Sequence, residues 1–329
     1  MTDSVILVTA LGIGFIVAFA IGASDETMSP AVGAGILTLG IAVVIGGICN
    51  FIGAFFLGES VSKTIGQNLS RNPLTIEMVF IILIVMAIWL LIVSSKGIPI
   101  STTQSVVGSV IGIVIVEWGL EAVNRETLFW IVLSWVISPI LGLIGGYLAY
   151  WTINKVRMKF KRKGYDDYEK QEKIAAYLLA LFLLVTIFSR SGNDVAKAIG
   201  PLMSIPEFMI NPIPALIAGG LGMCLGVIVL GRRVVKKLSF DIVALTPTSA
   251  LAASISVSLI MFFGTLLGIP LSGSHILVTA FIGVGYVSKE PIDKDSIKEI
   301  GWSWGLTLPV SAFLSAIIFL IVKWALLVV

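Results

Sequence analysis

Asp25, in Gly22-Ala23-Ser24-Asp25-Glu26, and Asp194, in Ser191-Gly192-Asn193-Asp194-Val195, each abut long apolar runs. Within a bilayer an unpaired carboxylate costs roughly 2.5 to 3.5 kcal/mol or more, so such residues mark ion paths or binding sites before they mark packing. Helix capping is the plainer alternative, since Ser24 or Asn193 precedes each Asp, and it is compatible with ion binding. With oxygens from Ser24, Thr27, Ser191 and Asn193 the two carboxylates resemble a cage for a hard cation. Sodium fits such a cage, and a proton carried on a buried carboxyl is the competing coupling ion. Asn50, polar within an apolar run, reads equally as an ion ligand or as a contact between helices.

A second pair of motifs suits the opposite charge. Gly97-Ile98-Pro99-Ile100-Ser101-Thr102-Thr103-Gln104 and Gly268-Ile269-Pro270-Leu271-Ser272-Gly273-Ser274-His275 each place a polar cluster between a proline and a new apolar run. Proline ends one segment, and the cluster caps the next helix. A helix N-terminus offers free N–H groups and about half a positive charge, which makes an anion site without Arg or Lys. Ser101, Thr102, Thr103, Gln104 and Ser105 on one side, with Ser272, Gly273, Ser274 and His275 on the other, would supply donors around a tetrahedral oxyanion such as phosphate or sulfate. His275 is the sole histidine and its counterpart Gln104 cannot titrate, which favours hydrogen bonding over proton relay. Lys197, three residues after Asp194, either pairs with it on one helix face or contacts the anion.

The elements that must position these residues cross a membrane. Of 329 residues, 57% are hydrophobic and only 12% charged, and mean hydropathy is +1.04. A soluble core cannot bury that much apolar surface, so the chain reads as an all-α polytopic membrane protein. The net charge of +3 is confined to a few loops, and without a basic arm or stripe nucleic acid is excluded as a partner. Cys49 and Cys224 sit in apolar runs without metal-ligand spacing and are expected as buried free thiols. No positively charged region precedes the first apolar run, so that run reads as a membrane helix and not as a cleaved leader.

Spans are expected near 4–22, 31–57, 76–95, 98–117 and 127–152, then near 174–189, 205–230, 248–268, 271–288 and 303–328. The short 174–189 segment and the two Gly-Ile-Pro openings predict broken or re-entrant helices at the midplane. Between the two sets lies the charged stretch 152–173, cytoplasmic by the positive-inside rule, which reads as a solvated linker in preference to a lipid-binding or regulatory site. Counting outward from it places sixteen Lys and Arg inside and five outside, the latter being Lys63, Arg71, Arg125, Arg190 and Lys197. Both termini are then outside. Gly-rich stretches such as 142–146 and 219–222 lack a P-loop lysine and read as close helix packing.

The motifs recur in order. Asp194 follows Asp25 by 169 residues and Pro270 follows Pro99 by 171; a weaker echo sets Gly226 173 residues after Gly53. Three motifs in register signal an internal duplication. Because each copy crosses an odd number of times, the copies are expected as inverted-topology repeats of about five segments: 1–152 and 174–329, joined by the 153–173 linker. Such architecture puts substrate near the midplane between the halves.

On these residues the chain resembles the inorganic phosphate transporter family, whose members include sodium/phosphate symporters. The resemblance rests on both Asp motifs, both Pro-x-Ser-x-Thr/Ser-Gln/His motifs and Leu245-Thr246-Pro247-Thr248 ahead of Ala252-Ala253, and it covers nearly everything outside 153–173. Gly192-Asn193-Asp194-Val195-Ala196-Lys197-Ala198 is close to the family's Gly-Ala-Asn-Asp-Val-Ala-Asn-Ala. The first copy departs from it at Ser24 and over Glu26-Thr27-Met28-Ser29, and Gln104 stands where many members have His. The resemblance implies import of inorganic phosphate by sodium symport across the plasma (inner) membrane, with alternating access around one central site. It also implies the homodimer that family members often form. No cofactor beyond the coupling ion is expected. Proton-coupled phosphate or sulfate symport is the nearest alternative. An anion channel would need no paired buried carboxylates, and an intramembrane hydrolase is disfavoured because no Gly-x-Ser-x-Gly elbow accompanies the single histidine.

Overall fold

The computed structural model describes residues 3–162 and 167–328; Lys163 and Asp166 of the charged linker lie outside the described residues. The first half of the chain runs through α1 (Asp3–Ala23), α2 (Ser29–Gly33), α3 (Leu39–Gln67), α4 (Ile76–Ser95), α5 (Thr102–Trp118) and α6 (Arg125–Arg162). The second runs through α7 (Tyr168–Ile199), α8 (Pro206–Ile210), α9 (Ile213–Val229), α10 (Arg232–Phe240), α11 (Pro247–Leu266), α12 (Gly273–Ser288) and α13 (Lys294–Val328). Among the described residues seven helices are long and apolar enough to span a bilayer, and α9 with α10 makes an eighth that bends by 61°. Two shorter apolar helices, α5 and α12, follow the Gly-Ile-Pro loops.

Each of the ten expected spans contains a helix, but several boundaries differ. Residues 31–38 do not open a long helix: the short α2 comes first, and Thr38 then caps α3 by accepting from the Ile41 N–H. Residues 205–212 form α8 and a turn before α9. The segment expected to be short at 174–189 is the middle of a 32-residue helix, started by the Asp167 cap and buried through its last turns. Helices α6 and α13 run 38 and 35 residues, well past an apolar span, and each contains one proline, Pro139 and Pro309. Hydropathy marks where a helix enters lipid, whereas cap and hydrogen-bond chemistry mark where it stops.

The halves pack by exchange. Helix α1 lies on α9 and α7 on α3; α5 lies on α13 and α12 on α6. Gly53 approaches the Phe188 carbonyl of α7 and Gly226 the Phe19 carbonyl of α1, each so closely that a Cβ would stand within 2.5 Å of the oxygen. These are the glycines of the weakest sequence echo, and here they set the helix crossings. One apolar core gathers around α4 and α5, a second around α11 and α12. Cys49 and Cys224 are free thiols of intermediate exposure, less enclosed than expected.

Candidate functional site

Helix α1 unwinds after Ala23, and residues 24–28 cross the centre of the molecule without regular structure. The free backbone there holds Asp25, whose Oδ1 accepts from the Thr27 N–H at 2.8 Å and the Thr27 hydroxyl at 2.5 Å, and whose Oδ2 accepts from Asn50 Nδ2 at 2.6 Å. Asn50 thus reaches Asp25 across 25 residues of sequence. Ser24 and Ser191 donate their hydroxyls to carbonyls of their own helices, Ile21 and Ile187.

The matching segment of the second half does not unwind. Arg190, Asn193, Asp194 and Lys197 all lie within α7, one turn apart or less, so they share a face. Arg190 Nε donates to Asp194 Oδ2 at 3.1 Å, and Lys197 Nζ donates to Asp194 Oδ1. Both Asp194 oxygens therefore carry a cationic partner. Arg190 Nη2 also donates to Glu26 Oε1 at 2.7 Å and stands 3.9 Å from Asp25 Oδ1, joining the two halves through charge.

Arg190 and Lys197, expected in an outside loop, are instead buried at the centre, with Lys197 fully enclosed. A buried cation is tolerable only with paired, hydrogen-bonded anions, and Asp194, Glu26 and Asp25 supply them. Glu26, at 0% exposure and paired with Arg190, is the acid of this cluster that sequence reasoning treats only as a departure from the family pattern. A signal is present: Glu26 adjoins Asp25 in the first motif, and Arg190 stands immediately before the second, four residues ahead of Asp194.

The two proline-led tips meet. Thr103 donates to the Leu271 carbonyl at 2.8 Å and Ser274 donates to the Ile100 carbonyl at 3.2 Å, a reciprocal pair between the start of α5 and the start of α12. Gly97 and Gly268 enter the loops with φ of +73° and +68°, a backbone turn that favours glycine. Asn193 Nδ2 donates to the Ile269 carbonyl at 2.8 Å, holding the second loop to α7. The Arg190 guanidinium lies on Gly273: a Cβ there would stand 2.4 Å from Nε and 2.6 Å from Cζ. Only glycine at the first residue of α12 admits this arginine.

Of the expected anion donors, Ser101 caps α5 by accepting from the Gln104 N–H, Thr102 is buried at the same tip, and Ser105 pairs with Ser311 of α13 at 3.2 Å. His275 packs against Trp304 with ring centroids 3.9 Å apart and the ring planes tilted by 39°. Several buried polar atoms have no hydrogen-bond partner among the described residues: Glu26 Oε2, Arg190 Nη1, Asn193 Oδ1, Gln104 Oε1, Ser272 Oγ and His275 Nε2. Each such atom costs about 1–3 kcal/mol unless a ligand or water satisfies it. Among the described residues no group of three or more His, Cys, Asp or Glu is arranged to hold a metal ion. Instead the ring holds three carboxylates, two cations and two helix N-termini, with a formal charge of −1 from Asp25, Glu26, Asp194, Arg190 and Lys197.

The profile of the phosphate transporter family matches residues 21–315. Relatives that carry the name phosphate permease include one from Pyrococcus furiosus, 30% identical with 97% of this chain and 96% of the relative aligned, and one from Thermococcus kodakarensis, 32% identical with 96% and 97% aligned. A solved structure of a sodium-dependent phosphate transporter superposes with a TM-score of 0.86 at 27% identity, covering 97% of this chain and 99% of that one.

Proposed function

The chain belongs to the phosphate transporter family, and on that premise we propose that it imports inorganic phosphate in symport with sodium, by alternating access at the ring described above. The observation that carries the reading is the meeting of both charge systems at one place: buried carboxylates able to gather cations beside two helix N-termini able to hold an oxyanion. Phosphate sits between the tips of α5 and α12, against the N–H groups and side chains of Ser101, Thr102, Thr103 and Gln104 on one side and Ser272, Gly273, Ser274 and His275 on the other. Arg190 Nη1 adds a charged donor from α7.

Sodium enters at the first half, where Asp25 and Glu26 have oxygens to share and Asn50, Thr27 and Ser24 lie close by. In the second half Asp194, flanked by Asn193 and Ser191, already has Arg190 and Lys197 on its two oxygens. There the protein's own cations do the work expected of sodium. A ring at −1 repels phosphate until a cation binds, so sodium binding precedes or accompanies anion binding, and that order couples the two fluxes.

The exchange packing, the reciprocal tip bonds and the matched prolines support reading 1–152 and 174–329 as inverted repeats joined by the 153–173 linker, rocking against each other about the ring. With the basic linker inside, both termini lie outside the plasma (inner) membrane. The test is radiolabelled phosphate uptake into proteoliposomes under an imposed sodium gradient or an imposed proton gradient. The reading expects uptake with sodium and its loss in Asp25→Asn; uptake driven by protons alone, or a fully active Asp25→Asn, defeats it.

A further inference from the structure

We propose that α10 is an interfacial helix whose cationic face binds the headgroups of anionic phospholipids and thereby braces the first-half segments of the transport site. Helix α9 presents Ile217, Leu221, Leu225 and Val229 to the outside at four-residue spacing, a lipid-facing stripe that runs directly to Arg232. There the chain turns by 61° and α10 begins. Its nine residues are divided sharply: Val234, Val235, Leu238 and Ser239 are buried, while Arg232, Arg233, Lys236 and Phe240 face out. Such a helix suits the plane of a membrane boundary, with apolar residues at its ends and cations along its outer face.

The charges on this face are only partly compensated. Lys237 pairs with Glu299 at 2.5 Å, and Arg233 donates to the Ser95 carbonyl at 2.7 Å. Arg232 and Lys236 have no ion pair among the described residues and fall one turn apart, in line with Phe240. Lys96, exposed beside the Ser95 that Arg233 holds, extends the patch, and Asp241 at the far end is the acid that follows the helix. An acidic protein would satisfy these cations too, but Val229, Leu230 and Phe240 stand exposed beside them and continue the lipid-facing surface of α9. That continuity selects a lipid headgroup. The helix also lies on the linker side of the molecule, since Glu172, at the end of the linker, accepts from the Thr248 N–H at 2.9 Å at the start of α11, the helix that follows α10.

Helix α10 touches both first-half segments that carry the proposed site, through Ser239 on its inner face and Arg233 at its edge. Ser239 donates to the Ser29 carbonyl at 3.1 Å, three residues beyond Glu26. Arg233 holds Ser95 and packs against Gly97, where the chain turns toward the Ser101 tip. Headgroups that hold α10 in the boundary plane therefore hold the floor beneath Asp25–Glu26 and beneath the α5 tip.

Two measurements on the full-length protein test this. The first is phosphatidylglycerol retained after detergent washing, read by mass spectrometry, for the parent and for Arg232→Gln/Lys236→Gln. The second is phosphate uptake by both proteins in vesicles of phosphatidylcholine alone or with phosphatidylglycerol added. The expected result is stimulation of the parent by phosphatidylglycerol, with the double variant retaining less of that lipid, by about fivefold per charge removed, and losing the stimulation. Equal retention by both proteins overturns the proposal, as does equal stimulation. A raised phosphate KM for the variant in phosphatidylcholine, with lipid retention unchanged, also overturns it by assigning the patch to free phosphate. The retention measurement does not depend on the transport reading, so failure of uptake in every vesicle would count against that reading alone.

Discussion

The two copies of the acidic motif have parted in both backbone and charge. Around Asp25 the helix opens for five residues, and the local side chains carry two negative charges and no positive one; around Asp194 the helix runs on to Ile199, and one carboxylate is bracketed by Arg190 and Lys197. The opened copy has neutral donors on its carboxylate, Thr27 and Asn50. The closed copy has fixed cations. The two motifs hold corresponding places in the sequence, yet a few residue differences leave one with acids and no cation of its own and the other with a carboxylate held between two fixed cations.

The contrast breaks hardest at Arg190, the residue that joins the copies. Arg190→Gln strands three buried carboxylates with one lysine, and a loss of about 3–5 kcal/mol in stability is expected together with loss of uptake. Thermal unfolding in detergent reads the first and uptake the second. Adding Glu26→Gln to that variant should restore a good part of the stability, and no recovery would mean the cross-copy pair is not what holds the halves. Next in size, Asp25→Asn should cut sodium-driven uptake by roughly 100-fold, equivalent to about 2.8 kcal/mol, checked by initial rates across a sodium titration. Gly273→Ala pushes a methyl group into the guanidinium and should lower uptake by about tenfold through misplacement of Arg190, with sodium dependence retained.

Lys197→Asn sharpens the comparison in another way. With the tethered cation replaced by an amide, Asp194 becomes open to sodium, and the sodium-to-phosphate flux ratio should rise by about one. Dual-isotope flux gives that ratio directly, and an unchanged value would show that Lys197 does not stand in for an ion. Smallest of all, Glu172→Gln weakens a cap shared by Arg157 and Thr248 far from the ring. It should lower the melting temperature by about 2 °C and leave uptake rates alone.

Much of this was legible beforehand, for identifiable reasons. The span at 76–95 coincides with α4 because residues 78–93 are uninterruptedly apolar and the helix is bounded by Thr75 and Lys96. The two proline-led tips are readable because proline, hydroxyls and apolar runs act locally; that they meet is seen in the bonds from Thr103 to Leu271 and from Ser274 to Ile100. Arg190 and Lys197 were misplaced because a charge count treats every cation as solvated, whereas burial depends on partners that come from other helices. The unwinding at 24–28 against the unbroken helix at 190–199 is equally hidden: its backbone closes on local turns, Ser24 N–H to Ile21, Asp25 N–H to Gly22 and Thr27 N–H to the Asp25 carboxylate, while the Asn50 contact that holds Asp25 comes from α3.

The reciprocal bonds between Thr103 and Leu271 and between Ser274 and Ile100 carry a mechanical meaning. Each tip grips the main chain of the other, so a displacement that the neighbour does not follow breaks a hydrogen bond, at a net cost of about 1 kcal/mol each. The seam thus ties the two loops together, and in the proposed transport cycle it would favour their moving as a pair.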